Sequence, residues 1–254
     1  MIKLYQGDCL EVMDKLIKQN IKVDAIITDP PYGTTACKWD AIIPFDKMWL
    51  RLKALRKEKT PIVLFGSEPF SSYLRMSNIK EYKYDWVWHK SCPSNIALVN
   101  KQPLKYHEII SVFYISQSLY NKQMIKRDPS GIAVLNRYKK NNTPIKFSGS
   151  NIHNTTNIKK EYDINRYDTN FKNPSTVLNI KSKRGKAHIH PTQKPVKLIA
   201  YLIKTYTNEN DLVLDFTMGI GSTGIACKKL NRNFIGIENN KKYFNFAKEF
   251  LKED

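Results

Sequence analysis

Residues 212–224 read LVLDFTMGIGSTG, and this stretch decides the fold. A short apolar run ends at Asp215, and the glycine-rich segment that follows leads into a stretch with a helical pattern. Glycines let the backbone approach a bound molecule closely, and the free N-terminus of the next helix favours negative groups. The stretch therefore predicts a strand, a ligand-binding turn and a helix in succession.

The turn and the next apolar run, 234–238, predict the kind of ligand. Gly219, Gly221 and Gly224 match the G-x-G-x-x-G dinucleotide motif, which is a weak signal by itself. Glu238 ends the following run, where a carboxylate can accept both hydroxyls of a ribose. A solvent-facing strand end is the simpler explanation of Glu238. The glycine-rich turn and Glu238 together favour a ligand that contains a ribose.

Apolar runs of strand length alternate with stretches of helical pattern along most of the chain. The predicted strands are 23–28, 61–65, 84–88, 109–115, 212–215 and 234–238, and the predicted helices are 10–17, 45–55, 196–205, 223–230 and 241–251. Strands that alternate with helices favour a mostly parallel sheet covered on both faces. We therefore expect an α/β fold.

Positive charge is in large excess and is unevenly distributed. The 254 residues include 42 Lys and Arg against 23 Asp and Glu, a formal net charge of +19. Residues 114–187 alone hold 15 Lys and Arg against 4 Asp and Glu. Because neutralised phosphates release counterions, this excess favours a polyanionic partner such as nucleic acid. A solvated surface, or a partly disordered loop at 116–185, would also account for the composition.

Four cysteines, Cys9, Cys37, Cys92 and Cys227, form no C-x-x-C pair, and their spacing suits no zinc site. The N-terminus does not resemble a signal peptide, and no apolar run has the length of a membrane helix. We expect reduced thiols, no bound metal and a cytoplasmic protein.

The tetrapeptide Asp29-Pro30-Pro31-Tyr32 directly follows a predicted strand. An amino nitrogen conjugated to a nucleobase ring is a poor nucleophile, because its lone pair is delocalised. The Asp29 carboxylate and the Pro30 carbonyl can accept its two N–H groups and direct the lone pair at an electrophile. The prolines stiffen the loop, and Tyr32 offers a face on which a base can stack. A rigid turn without chemistry is the alternative explanation.

This tetrapeptide, followed late in the chain by the glycine-rich turn, resembles the site-specific DNA amino-methyltransferases that modify N6 of adenine or N4 of cytosine. The order of the two motifs is that of the permuted β group. Further segments match in the family's order: QGDCLEV at 6–12, FGS at 65–67, WVWHK at 86–90, KYHE at 105–108 and HPTQKP at 190–195. The resemblance covers about residues 1–115 and 186–254.

The resemblance implies S-adenosylmethionine as cofactor and a role for each matching segment. The implied catalytic residues are Asp29, Pro30, Pro31 and Tyr32. The implied cofactor contacts are Asp8, Cys9, Asp29, His190, Lys194, Asp215, Thr217, Gly219, Gly221, Ser222, Thr223, Glu238 and Asn239. At the turn, the family often has Asp-Pro-Phe where this chain has Asp215-Phe216-Thr217, which leaves open which backbone atoms contact the methyl donor.

Contacts with the target base or DNA are assigned partly from the resemblance and partly, at 181–186, from the densest run of positive charge. We expect them at Tyr32, Lys90, Tyr106, His107, Lys181, Lys183, Arg184 and Lys186. The domain organisation would be a catalytic half at 1–115, a basic target-recognition insert at 116–185 and a cofactor-binding half at 186–254. The resemblance also implies a Rossmann-like methyltransferase fold of seven strands whose closing strand is antiparallel. The target base must flip out of the duplex to be reached.

Several functions remain open at this point. Family members that act on cytosine often carry Ser in place of Asp29, so the aspartate favours adenine. Relatives that methylate protein glutamine usually carry Asn there, and the basic insert suits double-stranded DNA better than RNA or protein. A nicotinamide oxidoreductase leaves residues 29–32 unexplained, and the intact motifs oppose a catalytically silent DNA-binding protein. The resemblance allows a homodimer and a cognate restriction endonuclease as further partners.

Overall fold

The computed structural model of the protein describes residues 1–34, 40–141, 145–147, 160–162, 168–182 and 193–252. The chain divides into two compact units. The first unit joins residues 1–121 to residues 175–254, and the second unit comprises residues 122–174. Within the described part of the chain, no helix is long and apolar enough to cross a membrane.

An eight-stranded sheet forms the centre of the first unit. Its strands are β1 (Ile2–Gln6), β2 (Ala25–Thr28), β3 (Ile62–Gly66), β4 (Tyr82–His89), β5 (His107–Phe113), β10 (Val177–Asn179), β11 (Leu212–Asp215) and β12 (Asn233–Glu238). They lie in the order β1-β12-β11-β2-β3-β5-β4-β10. Only β5 runs antiparallel to its neighbours, β3 and β4. Strands from both ends of the chain are therefore interleaved, with β2 paired to β11 and β1 paired to β12.

Six helices of the first unit accompany the sheet. They are α1 (Cys9–Lys18), α2 (Phe45–Leu55), α3 (Phe70–Ser77), α5 (Val196–Tyr206), α6 (Ser222–Lys229) and α7 (Lys241–Phe250). Their buried side chains belong to two apolar clusters, one with α1, α2 and α3 and the other with α5, α6 and α7. In β2, Ile26 belongs to the first cluster while Ala25 and Ile27 belong to the second, because successive strand residues point to opposite faces. Burial of both faces explains the continuous apolar runs in the sequence.

Polar side chains fix where two of these helices begin. The Asp8 carboxylate accepts from the backbone N–H of Leu10 at 2.8 Å and caps α1. The Asn240 side chain accepts from the N–H of Lys242 at 2.9 Å and caps α7. Such caps satisfy N–H groups that have no partner within the helix. Each capping residue lies in the short segment that follows a strand, so that α1 begins shortly after β1 and α7 shortly after β12.

The described part of the second unit contains four short strands and one α-helix. Strands β6 (Ile125–Lys126) and β9 (Phe171–Lys172) pair antiparallel, as do β7 (Ile145–Phe147) and β8 (Lys160–Tyr162). Helix α4 (Pro129–Lys140) begins at the cap Asp128, whose carboxylate accepts from the N–H of Gly131 at 2.8 Å. This unit spans residues 122–174, whereas the predicted insert spans 116–185. Its role in target recognition stays a prediction.

The mostly parallel α/β sheet with helices is confirmed, with differences in detail. The sheet has eight strands, whereas the resemblance implies seven, and the edge strands β1 and β10 are not among the six strands predicted from the sequence pattern. Strand β10 has only three residues, too few for a periodic pattern, and β1 contains the exposed Lys3. The antiparallel strand β5 lies inside the sheet, whereas the last strand in the chain, β12, is parallel to both of its neighbours. Helix α3 was also not predicted.

An ion pair fastens the end of α2 to the turn before β4. The guanidinium of Arg56 donates to both carboxylate oxygens of Glu81, at 2.6 and 2.9 Å. These hydrogen bonds lower the pKa of Glu81 to about 2, against the opposing effect of its partial burial. A lowered pKa means that the pair stabilises the fold above pH 4.5 and that the stabilisation is lost as pH falls through about 2.

We predict that Glu81→Gln lowers the free energy of unfolding by about 2 kcal/mol at pH 7, because the substitution removes the charge that Arg56 pairs with. Urea unfolding of both proteins at a series of pH values would measure the difference, which should shrink as pH is lowered from 5. The exposed Glu249→Gln in α7 is the control and should leave stability unchanged. A difference independent of pH would show that the charge contributes nothing.

Candidate functional site

A cavity of about 1120 Å³ opens in the first unit where the parallel strands end. Residues that directly follow or terminate β1, β2, β11 and β12 line it. Because neighbouring parallel strands end at the same edge of a sheet, residues far apart in sequence meet there. The Asp29 loop and the glycine-rich turn thus share one cavity.

The loop after β2 is held rigidly by one buried carboxylate. Asp40 accepts from the backbone N–H groups of Tyr32, Gly33 and Thr34, at 2.7, 3.0 and 2.9 Å. Gly33 has φ +67°, a conformation that a residue with a Cβ rarely adopts. The two prolines restrict the rest of the loop. These contacts restrain the main chain of residues 30–34, which directly follows Asp29.

Asp29 is connected to residues from the other end of the chain. Lys194 Nζ donates to Asp29 Oδ2 at 2.5 Å, and the hydroxyl of Tyr32 donates to Asp29 Oδ1. The Thr217 hydroxyl donates to the Asp29 backbone carbonyl at 3.0 Å. The Asp29 side chain keeps 24% of its surface accessible. The loop is thus bonded to the glycine-rich turn and to Lys194, and the carboxylate still faces the cavity.

Four charged side chains form a network beside the loop. Lys194 Nζ lies 3.3 Å from Glu108 Oε2, and Lys90 Nζ lies 3.1 Å from Glu108 Oε1. With the bond between Lys194 and Asp29, two ammonium groups balance two carboxylates. Lys194, at 6% exposure, is almost fully buried. Such burial is tolerable because each charge has an opposite partner within hydrogen-bonding reach.

The network sets the ionisation of its members. Burial lowers the pKa of Lys194, but Asp29 and Glu108 outweigh that effect and raise it. Burial raises the pKa of Glu108, but Lys194 and Lys90 outweigh that effect and lower it. The pKa of Asp29 is raised by burial, against the attraction of Lys194 and with the repulsion of Glu108. The network therefore favours the charged forms of Lys194 and Glu108, while burial opposes the charged form of Asp29.

Aromatic side chains line the same part of the cavity. The Tyr32 ring lies 5.1 Å from the Phe70 ring, centroid to centroid, at an interplanar angle of 31°. Phe65 and Trp88 also line the cavity, and Trp88 Nε1 is satisfied by the Ile180 carbonyl at 2.8 Å. Flat apolar walls beside a few fixed polar groups suit a planar ring with hydrogen-bonding edges.

The glycine-rich turn forms the second half of the site. Gly219 and Gly221 have φ +56° and +85°, which explains why glycine stands at both positions. The N–H of Gly219 donates to Glu238 Oε2 at 2.9 Å, and the N–H of Asn240 donates to Glu238 Oε1 at 2.7 Å. Each carboxylate oxygen has a further lone pair, so both can accept one more hydrogen bond. Burial raises the pKa of Glu238.

The Asp215 carboxylate forms its hydrogen bonds with β2, with α6 and with the turn itself. The carboxylate is buried and accepts from the hydroxyl of Thr28, from the hydroxyl of Thr223 at 2.6 Å and from the N–H of Thr217 at 3.2 Å. Burial raises its pKa to about 6, against the effect of these hydrogen bonds. Asp215 therefore fastens the end of β11 to β2 and α6.

Most of the predicted site residues line the cavity. These are Asp8, Cys9, Asp29, Pro30, Pro31, Tyr32, Lys90, Lys194, Asp215, Thr217, Gly219, Ser222, Thr223, Glu238 and Asn239. Their individual roles stay predictions, and one has a structural role as well, because Asp8 caps α1. Gly221 lies at the start of α6, where a Cβ would meet Leu251 and Ala247. Cys9 is a free thiol, as is Cys227.

Other predicted contacts lie away from the cavity lining or outside the described residues. Tyr106 is exposed and stacks on His89, with ring centroids 6.2 Å apart. His107 begins β5 and is exposed, as is Lys181 after β10. His190, Lys183, Arg184 and Lys186 lie outside the described residues. Among the described side chains, no cluster could hold a metal ion.

Three residues that shape the site were not predicted: Glu108, Asp40 and Thr28. Glu108 stands next to His107 in the KYHE segment, opposite Trp88 in the pairing of β4 with β5. An acidic residue at the start of a strongly apolar strand is the signal that could have marked it. Asp40 and Thr28 gave no such signal, because their partners depend on how the loop and the strands pack.

We predict that Gly224→Ala destabilises the protein. A Cβ at this position would lie 2.6 Å from Leu251 Cδ1 and 2.8 Å from the ring of the buried Phe234, so α6 would be pushed from β12. Overpacking of this kind costs about 1–3 kcal/mol, which thermal unfolding can detect. The control is Gly131→Ala in α4, where the nearest atom is 3.4 Å away and no loss is expected. Wild-type stability for Gly224→Ala would contradict the close packing.

Comparisons with known proteins agree with this geometry. The family model of N6/N4 DNA methylases matches residues 23–249. Among curated proteins, the chain is similar to the Type II methyltransferase M1.MboII of Moraxella bovis, with 26% identity over 99% of this chain and 96% of that protein. It is also similar to M.HinfI of Haemophilus influenzae, with 27% identity over 98% of this chain and 68% of that protein.

Solved structures of DNA methyltransferases are similar to this chain as well. The complex of M1.HpyAVI with S-adenosylmethionine is 29% identical, covers the whole of both chains and superposes with a TM-score of 0.66. The cytosine-N4-specific PvuII DNA methyltransferase shares the fold, with a TM-score of 0.62 at 17% identity over 100% of this chain and 86% of that chain. The family match spans most of the sequence and includes both halves of the cavity. The chain therefore belongs to the N6/N4 family of S-adenosylmethionine-dependent DNA methyltransferases.

Proposed function

We propose that the protein transfers the methyl group of S-adenosylmethionine to N6 of an adenine that has been flipped out of double-stranded DNA. The observation that carries this proposal is the position of Asp29, an aspartate on a fixed loop that shares one cavity with the glycine-rich turn and Glu238. An acceptor for an amino group and a site for a nucleoside-containing donor are the two parts that the reaction needs.

The chemistry follows from the groups around the target nitrogen. The Asp29 carboxylate and the Pro30 carbonyl accept the two N–H bonds of the base, which directs the nitrogen lone pair out of the ring system. S-adenosylmethionine supplies an electrophilic methyl group on a sulfonium. The new N–C bond forms as the S–C bond breaks, and the nitrogen then releases one proton. Asp29, with its raised pKa, is placed to receive that proton or pass it to water.

Several residues fit the cofactor. A Cβ at Gly219 would meet nothing within 4 Å, so the backbone of the turn is open to a ligand. Both oxygens of Glu238 can accept from ribose hydroxyls. Asp8, Cys9 and Asn239 line the same end of the cavity, where we place the adenine and ribose. We further place Ser222 and Thr223, at the start of α6, beside the methionine carboxylate, since a helix N-terminus favours a negative group.

Adenine is proposed over cytosine because an aspartate, and not a serine, stands at position 29. N4 of cytosine is the alternative, since the PvuII cytosine-N4 enzyme has the same fold. The fold therefore does not distinguish adenine from cytosine as the target base. Identification of the methylated nucleoside does distinguish them. Labelled methyl transfer to unmethylated DNA, followed by digestion to nucleosides, should give N6-methyladenine. Label in N4-methylcytosine would replace the proposal by the alternative.

The second unit is proposed to read the target sequence. Residues 122–174 hold 11 Lys and Arg against 4 Asp and Glu, which suits a phosphate backbone. The exposed Lys181 and the basic residues that follow it would add phosphate contacts. Type II relatives suggest a cognate restriction endonuclease, and the family suggests a homodimer; both stay proposals. Because the proposed substrate is DNA, we propose that the enzyme acts in the cytoplasm.

We predict that Asp29→Ala lowers the rate of methyl transfer by on the order of 10² to 10³, because one acceptor of the transition state is lost. Single-turnover assays with labelled S-adenosylmethionine measure the rate, and calorimetry should show that the variant still binds the cofactor. The control is Asp46→Ala at the exposed start of α2, which should retain wild-type activity. Near wild-type turnover in Asp29→Ala would refute the catalytic role.

We predict that Glu238→Ala raises the KM for S-adenosylmethionine more than it lowers kcat. Ribose contacts are the same in the ground state and the transition state, so their loss weakens binding without slowing chemistry. Steady-state kinetics at saturating DNA separates the two constants, with the exposed Glu249→Ala as control. A fall in kcat at constant KM would mean that Glu238 does not hold the ribose.

A further inference from the structure

A loop of the first unit between β4 and β5 stands at the cavity and has its own internal support. The N–H of Lys90 donates to the Tyr106 carbonyl at 2.7 Å, and the N–H of Ser94 donates to the Lys105 carbonyl at 3.1 Å. The Asn95 side chain accepts from the N–H of Lys105 at 2.6 Å and donates to the Pro103 carbonyl at 3.0 Å. These bonds close the stem of the loop and fix its tip, residues 96–102.

The tip exposes three large apolar side chains within four residues. Ile96 is 65% exposed, Leu98 is 40% exposed and Val99 is 54% exposed. A short 3-10 turn, Ile96–Leu98, presents them, and the N–H groups of Lys101 and Gln102 both donate to the Leu98 carbonyl. Single exposed apolar residues are common, but a clustered group on a braced turn is typical of a contact surface.

The tip lies beside the part of the cavity proposed for the target base. Leu98 and Gln102 line the cavity, as do Trp88 and Lys90 at the foot of the loop. A base bound in the cavity would therefore lie close to the tip. The helical gap that the base leaves behind would lie on the same side.

The charge around the loop suits DNA. Residues 90–107 contain three lysines and no acidic residue. Lys101, in the tip, is exposed. Lys181 is exposed too and directly precedes Ser182, whose hydroxyl is 3.0 Å from that of Ser91 at the start of the loop. Positive side chains around an apolar tip complement a phosphate backbone around a stack of bases.

We propose that this tip inserts Ile96, Leu98 and Val99 into the base stack of double-stranded DNA and fills the gap left by the flipped base. Apolar side chains that enter between bases offset the cost of unstacking and favour the open duplex. The inference rests on the proposed function, since it needs a base that leaves the helix.

The test is the triple variant Ile96→Ser, Leu98→Ser, Val99→Ser, assayed on two oligonucleotide duplexes that contain the methylated site. In one duplex the target base is paired, and in the other it is mismatched, which lowers the cost of flipping. The variant should be slower than wild type by about tenfold or more on the paired duplex and by only about threefold or less on the mismatched duplex.

The matched control is Leu50→Ser, Met76→Ser, Ile79→Ser, which removes three exposed apolar side chains from outside the cavity lining. It should equal wild type on both duplexes. The single variant Val99→Asp changes only an exposed side chain, so it keeps the test valid if the triple variant loses S-adenosylmethionine binding. Unchanged rates, or equal losses on both duplexes, would overturn the inference. If wild type methylates neither duplex, the proposed function fails first and the inference with it.

Discussion

The buried ion pair between Lys194 and Asp29 is the interaction on which the site depends. It joins residues 165 positions apart, and it fixes the carboxylate that the proposed reaction uses. A buried ion pair alone adds little stability, because removing both charges from water offsets their attraction. Here Glu108 and Lys90 complete a balanced network, so that neither charge of the pair is left without a partner. We interpret the network as a means of holding Asp29 in place and of keeping Lys194 charged.

The sheet order makes that pair possible. Strand β2, from the first part of the chain, pairs with β11 from the last part, and β12 lies between β11 and β1. The Asp29 loop and the glycine-rich turn therefore emerge side by side, although 188 residues separate Asp29 from Thr217. Asp215 strengthens the junction, since Thr28 of β2 and Thr223 of α6 both donate to it. The two motifs form one site because neighbouring parallel strands end together.

The sequence predicts the local parts of this site better than the connections between them. Residues 29–32, the glycines and Glu238 are recognisable because each motif carries its chemistry within a few neighbouring positions. Asp40 and Thr28 are not, since their partners depend on loop packing and strand packing that no short pattern encodes. The same limit explains the edge strands: β10 has three residues, and only pairing with β4 makes it a strand. Asp215 is a different case. The sequence marks it as a cofactor contact, whereas in the structure its carboxylate accepts hydrogen bonds from Thr28, Thr223 and Thr217.

The central claim is that Asp29, held by Lys194, directs methyl transfer to adenine N6. The most direct measurement is single-molecule sequencing of DNA from a bacterial host without methyltransferases of its own, expressing either the wild type or Asp29→Ala. We predict N6-methyladenine at one short shared sequence with the wild type and unmodified DNA with the variant. N4-methylcytosine, or modified adenines that persist in the variant, would contradict it.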